Sequence, residues 1–195
     1  MLQIKEIVNS IFNSKTYILY REGECKAWLV DIGDIEPVVS FLKEKGLTPP
    51  DGVFITHAHF DHIYGLPRLA KLYPDVKVFT NSFGREMLRN ERRNMSRYHD
   101  NPIVFVSDNV VECGEGDRID VFDDILAYVY YTPGHNPSCL TYEIGGCVFT
   151  GDAFIPGVKV VTNLPGADKQ MALQSVERIK LLAVGRVVCP GHKTE

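Results

Sequence analysis

Gly52-Val53-Phe54-Ile55-Thr56-His57-Ala58-His59-Phe60-Asp61-His62 sets a short apolar run directly before three imidazoles and a carboxylate packed into six positions. The run Gly52 to Ile55 reads as a strand, because it is short and apolar throughout. The positions after it cannot all be core, since buried polar groups need partners and plain packing would not select this density. They need something to bind. In extended chain, residues two apart point the same way, so His57 and His59 can close on one cation at a Zn–N distance of about 2.0–2.1 Å. If the backbone then turns into a helix near Ile63, Asp61 and His62 swing toward a second point nearby. For this motif alone, the plainer alternative is a loop of solvated histidines with Asp61 as a helix cap.

Working outward, three more strand ends carry the same residue types. His135 follows the alternating run Ile125 to Tyr131 in Tyr131-Thr132-Pro133-Gly134-His135. Asp152 follows Cys147 to Thr150 in Thr150-Gly151-Asp152, and His192 follows Arg186 to Cys189 in Pro190-Gly191-His192. Each arrives through glycine, which permits an abrupt change of direction. Loops at strand ends are where rigid scaffolds present functional groups. Only His99 of the six histidines stays outside this set, and it reads as a loop or surface residue. Nitrogen and oxygen ligands without cysteine suit zinc, iron or manganese, whereas a structural zinc site would favour cysteines in a closed tetrahedron.

Short β-branched and aromatic runs alternate with helical patterns along the whole chain, which argues α/β. Further strands are expected at Leu2 to Val8, Thr16 to Tyr20, Lys26 to Val30, Lys77 to Thr80, Ile103 to Val106, Ile119 to Val121 and Cys139 to Ile144. Helices are expected at Glu36 to Lys45, Ile63 to Tyr73, Phe83 to Asn94 and Lys169 to Ala183. The opening strands follow one another without a helix between them, so the sheet cannot be wholly parallel. No linker or composition shift divides the 195 residues, which are read as one domain, 1–195. A hydrophobic share of 45% with 24% charged residues excludes a disordered tail, a fibre and a coiled coil. The net charge of −4 argues against nucleic acid or an acidic membrane and favours a small-molecule substrate. Five cysteines form no CxxC pair, and the N-terminus lacks the form of a signal peptide. Reduced thiols in a cytoplasmic, non-membrane protein are the expectation.

HAHFDH, TPGH, TGD and PGH, in this order and at these intervals, resemble the metallo-β-lactamase superfamily from Asp31-Ile32-Gly33 through His192. The resemblance implies a four-layer αββα sandwich with metals at one rim of its two sheets. It implies that His57, His59 and His135 hold one metal, that Asp61, His62 and His192 hold the other, and that Asp152 bridges them. Two divalent transition-metal ions are then the cofactors, zinc first, with iron or manganese as alternatives. The implied activity is metal-dependent hydrolysis of a small ester, thioester or lactone by a shared hydroxide, with Asp61 as the catalytic residue that orients it. Alternatives within the same framework are an iron-dependent oxidoreductase of the persulfide dioxygenase type and a nuclease.

The run GDAFIPGVKVVTNLPGAD is similar to the GD(A/L)(L/F)xxGxxGRxDLPGGD pattern of short glyoxalase II-like members. Val160-Val161-Thr162-Asn163 stands where that pattern has Gly-Arg-x-Asp, so its arginine and aspartate are missing. Glyoxalase II proper also carries a helical glutathione-binding domain after the last histidine, whereas this chain ends three residues after His192. A secreted β-lactamase is disfavoured by the N-terminus and by the intact Asp152. Asp31 has two readings, a partner behind a ligand histidine or a helix cap. Arg85, Arg89, Arg93 and Arg97 fall four apart, as a solvated face balanced by Glu86 and Glu91 or as a rim attracting anionic substrate. Tyr128, Tyr130 and Tyr131 line a pocket or occupy a sheet face.

Overall fold

The computed structural model describes residues 1–194. One six-stranded sheet runs in spatial order through β1 (Leu2–Val8), β2 (Lys15–Arg21), β3 (Ala27–Val30), β4 (Gly52–Phe54), β5 (Lys77–Thr80) and β6 (Val110–Glu112). Its first three strands pair antiparallel and β3 to β6 pair parallel. The second sheet is ordered β11 (Val187–Pro190), β10 (Cys147–Gly151), β9 (Leu140–Ile144), β8 (Ile125–Tyr131) and β7 (Arg118–Phe122). It is antiparallel except for the β10–β11 pair. Five α-helices and one short 3-10 turn, Ser96–Tyr98, complete the described residues: α1 (Ile35–Lys45), α2 (Phe60–Ile63), α3 (Leu66–Leu72), α4 (Ser82–Leu88) and α5 (Lys169–Leu182).

Alternation along the strands makes the layers. Tyr17 and Leu19, Trp28 and Val30, Phe54, and Phe79 point between the sheets, where Tyr142 and Phe149 meet them from the other side. Their neighbours Ile18, Leu29, Val53 and Val78 point the other way, onto the helices that bring Val38, Leu42, Leu66 and Leu69. Strands buried on both faces read as continuous apolar runs, which is why Ala27-Trp28-Leu29-Val30 shows no polar side. On the outer face of the second sheet, Ile179 of α5 packs against Cys139 and Ala153. The result is four layers, αββα. All five cysteines are free thiols and four of them are buried, as small core residues.

Three expectations are corrected. The helix expected over Ile63 to Tyr73 splits into α2 and α3 at Gly65, whose own N–H bonds to Ile32 O and where a Cβ would sit 2.1 Å from Gly33 O. The backbone bends there to pack against that loop. The helix expected over Phe83 to Asn94 stops at Leu88, because Asn90 Oδ1 accepts from the N–H groups of Arg92 and Arg93 and turns the chain. Ile103 to Val106 alternates buried and exposed as a strand would, yet Ile103 bonds to Ser96 Oγ and Asn94 Nδ2, and Phe105 N–H to Leu88 O. Those partners belong to the end of α4 and the segment that follows it, not to a neighbouring strand, and the sheet edge is made by Val110–Glu112 instead. No helix is long and apolar enough to cross a membrane among the described residues.

Candidate metal centre

All seven expected side chains converge at one rim, delivered by the C-terminal ends of β4, β8, β10 and β11. His57 lies just beyond β4, and His59 is the N-cap residue of α2, which carries Asp61 and His62. The ligand-type atoms form three overlapping groups, each within 4.8 Å: His57–His59–His135, His57–His62–Asp152 and Asp61–His62–His192. His135 Nε2 lies 3.0 Å from His59 Nδ1, and His62 Nε2 lies 3.2 Å from His192 Nε2. Two nitrogens on one tetrahedral ion at 2.0–2.1 Å would be about 3.3 Å apart. The spacing fits a cation.

Asp152 joins the groups. Its Oδ1 is 3.5 Å from His62 Nε2, while its Oδ2 is 3.2 Å from His192 Nε2 and 3.7 Å from His135 Nε2. Asp61 Oδ2 is 3.3 Å from His192 Nε2 and 3.5 Å from His62 Nε2. Room for this closeness comes from Gly191, where a Cβ would meet Asp152 Oδ1 at 2.3 Å. His57 Nε2 and Asp152 Oδ1 are buried without a hydrogen-bond partner. Buried polar atoms are rarely left so, and these two face the other donors.

Each ring is held from behind. His57 Nδ1 donates to Thr56 Oγ1 (3.3 Å), which donates in turn to Asp31 Oδ2 (2.7 Å). His62 Nδ1 donates to Asp31 Oδ2 (2.9 Å), His135 Nδ1 to Val161 O (3.0 Å) and His192 Nδ1 to Phe12 O (2.9 Å). Four Nε2 atoms are thereby turned inward. His59 is gripped through its Nε2 by Asn136 Nδ2 (2.9 Å), whose own Oδ1 accepts from Ser138. Asp31 is thus the partner behind ligand-type histidines and not a cap. It sits at φ +54, a left-handed conformation that costs a non-glycine residue energy and persists where the surroundings enforce it. The residue before α1 is Asp34, whose carboxylate accepts from Ser10 and Tyr64.

Burial and charge divide the rim. Burial pushes His57 well below the usual imidazole range, takes His59 down to about 3 and lowers His135 as well. His192 is driven up to about 10, against its burial, by Asp152 and Asp61, and His62 is raised by Asp61, Asp152 and Asp31. The same imidazoles hold both carboxylates low despite burial. Neutral donors therefore stand on one side and an ion-paired network on the other.

Asn136, Thr56 and Phe12 were not singled out in the sequence. Asn136 carries a signal, since it directly follows the histidine of TPGH. Phe12 carries none, because it acts through its carbonyl. His99 stays outside the groups, stacked on Phe60 with ring centroids 3.7 Å apart. The arginine stripe does not form, because α4 ends before Arg89. Arg85 pairs with Glu112, Arg93 with Glu86 and Arg97 with Glu91, a solvated, neutralised face. Tyr128 and Tyr130 occupy a sheet face under the guanidinium groups of Arg118 and Arg178.

Comparison with known proteins agrees with this geometry. The chain is 28% identical over 168 residues to a hydroxyacylglutathione hydrolase of Xanthomonas euvesicatoria pv. vesicatoria, 86% of this chain and 56% of that protein. It spans about half the length of that relative. The solved structure of BLEG-1, a B3 metallo-beta-lactamase, superposes with a TM-score of 0.85 at 26% identity, covering 98% of this chain and 92% of the other. TTHA1623 in a di-iron-bound form gives a TM-score of 0.83 at 25% identity, over 97% and 92%. The family model of the metallo-beta-lactamase superfamily matches residues 14–192, and the chain belongs to that superfamily.

Proposed function

We propose that this chain is a metal-dependent hydrolase that cleaves a small ester, thioester or lactone at a dinuclear centre. The observation that carries the reading is Asp152, whose two oxygens reach the histidines of both flanking groups while one of them lacks any hydrogen bond. His57, His59 and His135 would hold one ion, Asp61, His62 and His192 the other, with Asp152 shared. Two divalent ions bound there would polarise an acyl carbonyl and lower the pKa of a water from about 15.7 to about 7. Zinc is the first choice for this donor set, and iron the alternative that the di-iron relative supports.

The chain's own groups do the rest. Asp61 is 7% exposed and its carboxyl is held below the usual range, so it is ionised at neutral pH and able to accept a proton. It would orient the attacking water and pass the proton to the leaving group. The acyl–oxygen or acyl–sulfur bond breaks, the water oxygen bonds to the acyl carbon, and the departing alcohol or thiol takes a proton. Thr56, Asp31, Val161 and Phe12 fix the rings, so that no imidazole must reorient during turnover.

The test is a panel of activated esters, thioesters and lactones, assayed with zinc-loaded and chelator-stripped protein. Metal-dependent turnover that falls below about pH 7 is expected. Silence across the panel, with oxygen consumed when iron and a persulfide are supplied, would replace the hydrolase reading with the oxidoreductase one.

A further inference from the structure

The loop after β10 builds a second surface beside the metal centre. A cavity of about 30 Å³ is walled by this loop together with His135 and Asp152. A larger one, about 350 Å³, lies between the loop and α5, where Ala172, Leu173 and Val176 face it. Ile155, Val158, Lys159 and Val160 are walls of both. The wall shared by the cavity at the ligand-type side chains and the one at the helix is mainly aliphatic, and parts of it are open, with Val158 48% and Leu173 56% exposed. Single exposed apolar residues are ordinary. An apolar cleft with a few convergent polar groups beside a reactive centre is where a substrate binds.

Two further observations narrow the ligand. Val160, a wall of both cavities, and Val161, a wall of the smaller one, are aliphatic where the cleft meets His135 and Asp152. The polar groups at its rim include Lys159, Lys169 and Lys180 and no carboxylate. Lys180 pairs with Glu177 at 2.8 Å, while Lys159 and Lys169 make no ion pair among the described residues.

Building on the hydrolase reading, we propose that the substrate is an ester or thioester whose acyl arm is aliphatic and ends in a carboxylate. The acyl carbon sits at the metal centre, the arm lies along Val158 and Val160 toward Leu173, and Lys159 and Lys169 receive the terminal carboxylate. Hydrolysis breaks the acyl–oxygen or acyl–sulfur bond, adds the oxygen of water to the acyl carbon and gives a dicarboxylate, the leaving group taking a proton.

The test uses the metal-loaded full chain and acetyl, butanoyl, hexanoyl and octanoyl thioesters of one neutral thiol, each longer one also in its ω-carboxy form. kcat/KM should rise about threefold to fourfold per methylene. The ω-carboxy form should gain a further fivefold to tenfold, roughly, from two rim lysines, a gain that fades as salt rises. Leu173→Asp should flatten the chain-length slope, and Lys159→Gln with Lys169→Gln should remove the carboxylate preference and keep the slope. Turnover of the acetyl thioester with a flat slope in the unmodified protein overturns this proposal and leaves the hydrolase reading intact. Octanedioate binding, read by calorimetry, is independent of turnover. Binding weakened by Leu173→Asp supports the cleft even if the whole series is silent, and absence of binding overturns it.

Discussion

The two halves of the rim use the same residue type in opposite states. In the His57–His59–His135 group, burial keeps the rings neutral and their supports are a hydroxyl, an amide and a carbonyl. In the Asp61–His62–His192 group, Asp31, Asp61 and Asp152 surround the rings and raise them. A neutral imidazole is ready to bind a metal, whereas an imidazolium must first lose its proton. On the proposed reading, the first group would take its ion without displacing a proton and the second would trade a proton for one, so ordered loading, first group before second, is the expected outcome.

Asp152→Ala would break the comparison altogether, since both halves lose the carboxylate they share. Turnover should be abolished while circular dichroism remains native, because rim side chains do not build the core. An active Asp152→Ala protein would refute the shared assignment. Asp31→Asn sharpens the contrast instead. It weakens the direct support behind His62, and metal affinity of the second group should fall about 10–100-fold, read by competition with a chromogenic chelator, with a smaller fall in the first event, whose His57 reaches Asp31 only through Thr56. Thr56→Val is isosteric and removes the acceptor for His57 Nδ1. An effect of about tenfold, at the lower end for an outer hydrogen bond, is expected on the first event.

The smallest effect is in protons. His192 in metal-free protein is raised to about 10, so at pH 7 it carries a proton that an incoming ion must displace. The second loading event should release at least one proton, and its affinity should rise with pH toward 10. His59 titrates at about 3, so the first event should be nearly flat above about pH 5. Calorimetry in two buffers of different ionisation enthalpy separates the cases, and equal proton release in both events would erase the distinction.

Much of this was legible in the sequence. Gly52 to Ile55 showed a buried strand before a dense polar motif, and glycine before His135, Asp152 and His192 marked abrupt strand ends. The αββα layering followed once those motifs were matched. What the sequence concealed depends on long-range contacts. Gly65 breaks a periodic helix only because Gly33 O is packed against it, and the edge strand Val110–Glu112 is too short to show a period. Phe12 holds His192 through a backbone carbonyl that any residue would offer. Asp31 offered two roles until the chain brought Thr56 and His62 to the same carboxylate.

Anomalous X-ray scattering at the zinc edge, from crystals of reconstituted protein, tests the central claim most directly. The account predicts two peaks about 3.5–4 Å apart, one among His57, His59 and His135 and one among Asp61, His62 and His192, with Asp152 between them. No peak at this rim, or a single peak that leaves either group without an ion at saturating zinc, would contradict it.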